Sequence, residues 1–490
     1  MIVRTVCFPL IILCAVPASA IELPFNVVPG ERQLVLDDAG IAKVENLTRT
    51  MHRPRKKGAV IRPNWPLGVK SVQARTAPVW DPQEKVFKFW DCAATPPGLS
   101  AQGIGGSGYY ESTDGLHWSQ PPLVQMEFKE WPLNNYIKLT LNGKHYRTDY
   151  VAYDPVDPDP TRRFKCALPP HGFAVSPNGR DWRAVDGPSI PSGDEANFSF
   201  DHKGKLFILT VKRPGPNGRS VYLATSKDFT NWTDHGLIFH SDDLDQEIGR
   251  KRILVRSADP TLQQIVANDP SRWNTDVYNM GVFRYESIYI GTPTMYHATG
   301  PSADGTNTDG FHLVELACSR DLTNWLRLGD REPFIGASRL DSGAYDLTGM
   351  IGPSNAVVRG DELWLYYTAG KYRRSPAEPD FDDGAVCLAV LRRDGFVSLD
   401  ATESVGTVLT KRFVLPSTKL LVNIKATAGE AQIELLDEND KGVARSTRMT
   451  GDLLRTPVEW EAGDLATLKG KSVSLRIQLR NAQLYSYWVE

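Results

Sequence analysis

One pattern recurs at four places along the chain and constrains the fold more than any other feature. A serine is followed by Asp or Asn two residues later and by Trp six residues later, in STDGLHW (112–118), SPNGRDW (176–182), SKDFTNW (226–232) and SRDLTNW (319–325). Asp, Asn and Gly tolerate a tight turn, and the Trp ring packs well against an adjacent sheet. The pattern therefore predicts four strand–turn–strand units. AVLRRDGFVSL supplies a degenerate fifth copy at Asp394 and Gly395, without the Trp.

Five segments upstream of these turns each read as two short apolar strands joined by a polar turn. They cover residues 76–91, 149–168, 195–211, 278–293 and 354–369. Repetition of a multi-strand unit at this scale is typical of a propeller, in which each blade buries its faces against its neighbours. We predict five blades, with four or six as alternatives because the interval 232–325 is long. Its polar stretch 241–275 is interpreted as an insertion loop, and helix signals are sparse throughout the chain.

The pattern of apolar and polar residues changes after about residue 400. LLVNIKA (420–426), EAQIELL (430–436) and SVSLRIQLR (472–480) alternate apolar and polar residues, which is typical of strands with one buried face. We therefore predict an all-β protein, with a five-bladed propeller over residues 21–400 and a small antiparallel β-sandwich over residues 401–490.

Charge and the N-terminus bear on location and partners. Lys plus Arg number 56 and Asp plus Glu number 58, and the signs are mixed along the chain, so no basic face for nucleic acid is indicated. Residues 1–20 carry Arg4, an apolar run and Ala18-Ser19-Ala20, which together predict a signal peptide cleaved near Ala20. The apolar run is too short to span a bilayer. We expect export to the periplasm or the medium, without a membrane span.

The cysteines and the metal-binding residue types give little sign of a cofactor. Four cysteines remain after the leader, at positions 92, 166, 318 and 387, each inside an apolar run that favours burial as a small hydrophobic residue. No zinc-ligand spacing occurs. We predict no cofactor. A calcium ion in the propeller channel is the one metal considered, and no D-x-D-x-D loop supports it.

The Trp-ended turns, the paired hairpins and the C-terminal sandwich together resemble the five-bladed β-propeller glycoside hydrolases of families 32 and 43, over roughly residues 30–490. Those families place an acidic residue on the innermost strand of three successive blades. Glu195 in EANFSF resembles the family stretch that carries the general acid. Asp149 in DYVAYD resembles the stretch whose first Asp orients that acid and raises its pKa. The first blade departs from the pattern, because RTAPVWD has Arg75 or Thr76 where the base is expected.

Other residues are candidates for the missing base and for substrate contacts. Asp276 and Glu286 are the main alternatives for the base, together with Asp91, Asp37 and Asp38. An arginine at position 75 suits an anionic sugar or inorganic phosphate through bidentate pairing. Residues at strand starts or in loops that are candidates for substrate binding are Arg75, Asp194, Trp80, Tyr278 and His297.

The sequence thus favours an exported glycoside hydrolase that acts on poly- or oligosaccharides through inner-strand carboxylates. Two alternatives remain at this point. One is a carbohydrate-binding propeller without catalysis. The other is an inverting glycoside phosphorylase, which uses phosphate in place of the second carboxylate. The sequence does not fix the sugar, the linkage or the oligomeric state.

Overall fold

The computed structural model describes residues 25–63, 71–92, 107–128, 131–302, 305, 307–372 and 382–490. The predicted signal peptide lies outside these residues. Within them the chain is almost entirely antiparallel β-structure, as predicted, with five blade-like sheets and one large curled sheet. No helix among the described residues has the length and apolar character needed to cross a bilayer.

The five blades follow one another along the chain, and each begins with its innermost strand. Blade I contains Val79–Asp81, Val86–Asp91, Ser107–Ser112 and Tyr136–Ile137, and blade II contains Val151–Tyr153, Phe164–Leu168, Gly172–Ser176 and Arg183–Val185. Blade III contains Ala196–Asp201, Leu206–Gly215, Gly218–Ser226 and Thr233–Phe239. Blade IV contains Asn274–Tyr285, Ile288–Pro301, Thr308–Val314, Ala317–Ser319 and Leu326–Arg327. A small extra hairpin joins Thr140–Leu141 to Lys144–His145.

Blade V closes the ring with a strand from the other end of the chain. Its strands are Gly349–Ile351, Ala356–Arg359, Glu362–Gly370 and Gly384–Arg392, and its outer strand is the N-terminal Arg55–Ile61. The pairing of Gly384–Arg392 with Arg55–Ile61 ties the first described strands to the last blade. Five separate apolar clusters then fill the five interfaces between neighbouring blades. The propeller is therefore held by burial of apolar surface between sheets.

The recurring Trp-ended turns connect the last two strands of each of blades I to IV. In the first turn, the Ser112 hydroxyl accepts the backbone N–H of Gly115 at 2.8 Å, and the indole N–H of Trp118 donates to the Gly115 carbonyl at 3.1 Å. The ring of Trp182 lies 6.3 Å from that of Trp90 in blade I, so the turn residue of blade II packs against the preceding blade. The predicted role of these turns is confirmed.

The degenerate fifth turn has a different destination. Asp394 and Gly395 follow strand Gly384–Arg392 of blade V. The neighbour of that strand in the sheet is the N-terminal Arg55–Ile61, so the chain leaves the blade here and continues into Val397–Ala401 of the curled sheet. This turn does not join two strands of the same blade, and it lacks the Trp that the other four turns have. All four described cysteines are free and buried, as expected for small hydrophobic residues.

The curled sheet has twelve strands and a core of its own. Its nine C-terminal strands are Val397–Ala401, Gly406–Thr410, Phe413–Val414, Leu420–Leu436, Gly442–Ser446, Met449–Pro457, Trp460–Ala462, Ser472–Arg480 and Ala482–Val489. Three N-terminal strands join them, at Gln33–Leu34, Ile41–Glu45 and Thr48–Met51. The predicted domain boundary at residue 400 stays a prediction. The strand pairing shows in addition that three N-terminal strands belong to the curled sheet.

The polar stretch 241–275 is not the loop that the sequence suggested. It contains the α-helix Asp243–Ala258, whose first turn is closed by a reciprocal capping box between Asp242 and Asp245. Short 3₁₀ turns occupy Pro160–Arg162, Pro270–Arg272, Gly329–Arg331, Leu340–Ser342 and Leu465–Thr467. The helix packs on the long strands of blade IV, where Gly249 faces Thr275 and His297.

Candidate functional site

Four of the predicted site residues lie where the innermost strands begin, which we call the upper end of the propeller. Arg75 precedes strand Val79–Asp81, Asp149 precedes Val151–Tyr153, Glu195 directly precedes Ala196–Asp201, and Asp276 is the third residue of Asn274–Tyr285. The innermost strands surround one axis, so residues far apart in sequence meet at this end. All four side chains are buried.

Arg75 and Glu195 form a buried ion pair across 120 residues of sequence. The arginine Nε donates to Glu195 Oε2 at 2.5 Å and Nη2 donates to Oε1 at 2.6 Å, which is the bidentate geometry of strong Arg–carboxylate pairs. The amide of Asn279 adds a third donor to Oε2 at 3.3 Å. Both carboxylate oxygens of Glu195 therefore act as acceptors for donors that the fold supplies.

Asp149 has the opposite environment. Burial raises the pKa of the Asp149 carboxyl above its ordinary value of 3.8, and the positive charge of Arg147 only partly opposes this. Arg147 Nε lies 3.5 Å from Asp149 Oδ2, and that oxygen has no hydrogen-bond partner among the described residues. Glu195 and Arg75 are close enough to act on it electrostatically. Asp149 is thus a buried carboxyl with a raised pKa beside the Arg75–Glu195 ion pair.

Asp276 is a second buried carboxyl with an open oxygen. Burial raises its pKa, against the neighbouring charge of Arg219, whose Nε lies 3.1 Å from Oδ2. The Oδ1 oxygen lacks a hydrogen-bond partner in the described part of the chain. Lys212 influences both Asp276 and Glu195 electrostatically, so it lies between these two carboxylates.

Tyr278 lies under cations at the same end. Lys212 Nζ is 4.1 Å from its ring centroid and the Arg219 guanidinium carbon is 5.4 Å away, while Lys212 also pairs with Asp194. These contacts occupy the ring with cation–π interactions, so Tyr278 is a poorer stacking platform for a sugar than the sequence suggested. A cleft of about 180 Å³ lies between Arg75, Tyr278, His312 and the innermost strand of blade V, Gly349–Ile351.

The structure places the other predicted site residues away from this cluster. Glu286 lies in the turn after Asn274–Tyr285, ten residues from Asp276 and so about 34 Å further along the strand, where it pairs with Arg393. His297 is fully buried beneath the helix, 3.0 Å from the Thr275 hydroxyl, and burial lowers its pKa well below the ordinary value. Neither residue lines the cleft, to which the four-residue cluster contributes Arg75 alone.

The remaining candidates have structural contacts. Trp80 is 41% exposed and lines a separate axial cavity of about 210 Å³ below the cluster. Asp91 accepts the backbone N–H of Gln73 at 2.9 Å. Asp37 pairs with Arg320, and Asp38 pairs with Arg49. The first blade therefore presents Arg75 to the cluster, and the carboxylates come from blades II, III and IV.

Sequence reasoning missed three residues that shape the site: Arg147, Arg219 and Asn279. Arg147 stands two residues before Asp149, a spacing that puts both side chains on one face of an extended segment. That spacing is a readable signal. Asn279 reaches Glu195 because a β-bulge between Val277 and Asn279 shifts the register of its strand, and no local sequence signal marks this shift.

Comparisons with known proteins were made at the levels of sequence and structure. No protein-family model matches the chain, and no curated protein matches it in sequence. Among solved structures, it is similar to the Bombyx mori GH32 β-fructofuranosidase BmSUC1, with 10% identity over 90% of this chain and 94% of that one and a TM-score of 0.41.

Two further solved structures are similar to it. One is a family 43 arabinoxylan arabinofuranohydrolase from Bacillus subtilis in complex with cellotetraose, with 8% identity over 88% of this chain and 99% of that one and a TM-score of 0.37. The other was described in work on GH130 mannoside phosphorylases and hydrolases that target β-1,2 mannosidic linkages in Candida mannan. It has 16% identity over 73% of this chain and 96% of that one and a TM-score of 0.36. The five-bladed architecture implied by the sequence resemblance is confirmed.

Proposed function

We propose that this protein is a glycoside hydrolase that acts on poly- or oligosaccharides at the upper end of the propeller. The observation that supports this most directly is Asp149, a buried carboxyl with a raised pKa and an open oxygen beside other carboxylates. Hydrolysis of a glycosidic bond needs a carboxylic acid that protonates the leaving oxygen and a second carboxylate. We also propose export, on the strength of the leader-like residues 1–20.

Asp149 is the proton donor in this proposal. The family resemblance implies Glu195 for that role, but Glu195 accepts hydrogen bonds from Arg75 on both oxygens. The raised pKa keeps a proton on Asp149 at pH values where an exposed aspartate has lost it. The Arg75–Glu195 ion pair then lines one side of the site and positions the sugar.

Asp276 is the second carboxylate. Its Oδ1 is open, and Arg219 holds Oδ2, so the group is oriented and has one oxygen available to take a proton from water. A raised pKa also makes it a stronger base than an ordinary aspartate once it is ionised. A carboxylate that activates water, rather than attacking the sugar, gives inversion at the anomeric carbon.

The experiment compares the wild type with Asp149→Asn and Asp186→Asn on fructans, arabinans, β-mannans and sulfated glycans. Asp186 is an exposed aspartate of the same blade, so its variant is a matched control. We expect Asp149→Asn to lose about 10²–10⁴-fold in turnover and Asp186→Asn to keep full turnover. Release of reducing sugar without added phosphate would separate hydrolysis from phosphorolysis.

Two outcomes would contradict the proposal. Strict dependence on phosphate would favour the phosphorylase alternative. Binding of a glycan without turnover by the folded wild type would favour a carbohydrate-binding propeller.

A further inference from the structure

The outer face of the curled sheet carries a polar ladder. Strands Leu420–Leu436 and Ser472–Arg480 pair so that Glu430 lies opposite Arg480 and Gln432 lies opposite Gln478. The alternate residues Ala431 and Leu479 belong to the apolar core. Because side chains of a strand alternate between faces, the charged and amide side chains all face outward.

This ladder forms the floor of a groove of about 220 Å³. Its polar lining consists of three arginines, two glutamines and one glutamate: Arg445, Arg448, Arg480, Gln432, Gln478 and Glu430. Positive charge therefore exceeds negative charge at the groove surface. A concave surface with this composition attracts an anionic ligand.

The arginines differ in how far they are already engaged. Arg448 holds both oxygens of Glu430, at 2.5 and 2.6 Å. Arg445 Nε lies 3.3 Å from Glu461 Oε1, and Arg445 Nη2 donates to the side-chain amide oxygen Oε1 of Gln432 at 2.9 Å. The Arg480 side chain has no hydrogen-bond or ion-pair partner among the described residues, since its cross-strand neighbour Glu430 is taken by Arg448. Arg480 thus presents a guanidinium to the groove without a counter-charge.

We propose that this groove is a second binding site, for an acidic glycan chain with a carboxylate group that pairs with the unpartnered guanidinium of Arg480. The planar guanidinium matches a carboxylate in bidentate geometry. The Gln478 amide supplies a donor and an acceptor for sugar hydroxyls, whereas the Gln432 amide is already bonded to Ser446 and Arg445. That the ligand is a glycan rests on the proposed function, whereas its acidic class follows from the groove. A sulfated glycan offers the same anionic chemistry.

The test uses the full chain carrying Asp149→Asn, so that glycans are not cleaved. Binding of polygalacturonate oligosaccharides, a sulfated glycan and a neutral glucan is measured by calorimetry, with and without the further change Arg480→Glu. The matched control is Lys469→Glu, the same charge change at an exposed residue. It lies three residues before the strand that ends at Arg480, about 27 Å from the groove by strand length.

We expect Arg480→Glu to weaken binding of the uronate ligand by about tenfold or more, the usual effect of losing a hydrogen bond between charged groups. Lys469→Glu should leave the affinity for the uronate ligand unchanged, and neither substitution should alter the binding of the neutral glucan. Tighter binding of the sulfated glycan would identify sulfate as the preferred anion.

Equal affinity and stoichiometry of the Arg480→Glu and Lys469→Glu proteins would overturn the proposal. In the Asp149-containing protein, Arg480→Glu should leave turnover of a short neutral substrate unchanged. If no glycan is cleaved but uronate binding still depends on Arg480, the proposed function fails and the groove stands.

Discussion

The two ends of the propeller both bury charged groups, but they bond them differently. At the upper end, Asp149 and Asp276 each keep one carboxylate oxygen without a hydrogen-bond partner among the described residues. At the lower end, the buried Asp394 accepts hydrogen bonds from Arg32, Tyr285, Asn423 and Ser486. The lower aspartate joins blade IV, blade V and the curled sheet, and its bonding capacity is used.

Under the proposed function, this difference separates aspartates that hold the fold together from aspartates that serve chemistry. A buried polar atom without a partner costs about 1–3 kcal/mol, so folded proteins have few of them and each requires an explanation. A carboxyl that must exchange protons with a substrate needs an open oxygen. A carboxylate that only connects sheets needs as many donors as it can hold.

The largest expected effect on stability is at the lower end. Asp394→Asn removes the directly bonded counter-charge of the buried Arg32 and leaves only Glu286, 3.9 Å away, so we expect a loss of about 3–5 kcal/mol in the free energy of unfolding. Asp361→Asn removes an exposed pair with Arg455 and should cost less than about 1 kcal/mol. Urea unfolding of both proteins measures the two values. Turnover per folded molecule should stay unchanged, and a loss of turnover as large as that of Asp149→Asn would remove the distinction between the two ends.

The Arg75–Glu195 pair allows a second test, because it is a satisfied pair at the upper end. Arg75→Met removes the paired cation of the buried Glu195 and leaves the Asn279 amide as its side-chain donor, which should cost about 3 kcal/mol. The double variant Arg75→Met, Glu195→Met removes both charges and should recover at least half of that loss. Unfolding free energies of the wild type, both single variants and the double variant give the coupling energy. Simple additivity would show that the pair does not stabilise the upper end.

The raised pKa of Asp149 predicts a pH-dependent difference in stability. Its folded-state pKa lies above the unfolded value, so the folded protein holds the proton more tightly. The stabilising contribution is complete below the unfolded pKa and is lost as pH rises towards the folded pKa. The loss amounts to about 1.4 kcal/mol for each pH unit between the two values.

The measurement is the unfolding free energy of the wild type minus that of Asp149→Asn, followed from pH 3 upwards. We expect this difference to fall as pH rises. The Asp186→Asn protein is the control and should track the wild type at every pH. A difference for Asp149→Asn that is constant with pH would show that the carboxyl is solvated in the folded protein.

The turns were predictable from sequence because local hydrogen bonds fix them. The Asp228 carboxylate accepts the N–H groups of Thr230 and Asn231, two and three residues later. The fifth turn at Asp394 was also found, without its Trp. The closure of blade V by Arg55–Ile61 depends on pairing across more than 300 residues, and no local pattern encodes that. The helix was missed because its charged sequence has weak amphipathic character, although the capping residues Asp242 and Asp245 were a readable signal.

The site was predictable in part for the same reason. The family resemblance put Arg75, Asp149 and Glu195 at strand starts, and the structure places all three there. Which carboxylate keeps a proton depends on partners that fold in from other blades. Arg75 reaches Glu195 across 120 residues, and this contact engages both carboxylate oxygens of Glu195. Spacing along one strand carries no such information.

The smallest expected effect is at the lower turns and has the opposite pH dependence. The Asp228 carboxylate is exposed, and hydrogen bonds from Asn231 and Thr230 lower its pKa below the ordinary value. Asp228→Ala should cost about 1 kcal/mol at neutral pH, because exposed hydrogen bonds are partly replaced by water. The cost should shrink as pH falls below the ordinary aspartate pKa, because the unfolded state then takes up a proton that the folded state does not, and the stabilisation is lost progressively towards the lower folded pKa. Thermal unfolding at pH 7 and pH 3, with Asp186→Asn as control, measures the two values. A loss that grows on acidification would mean that the lower aspartates, like Asp149, favour the protonated form, and the contrast between the two ends would fail.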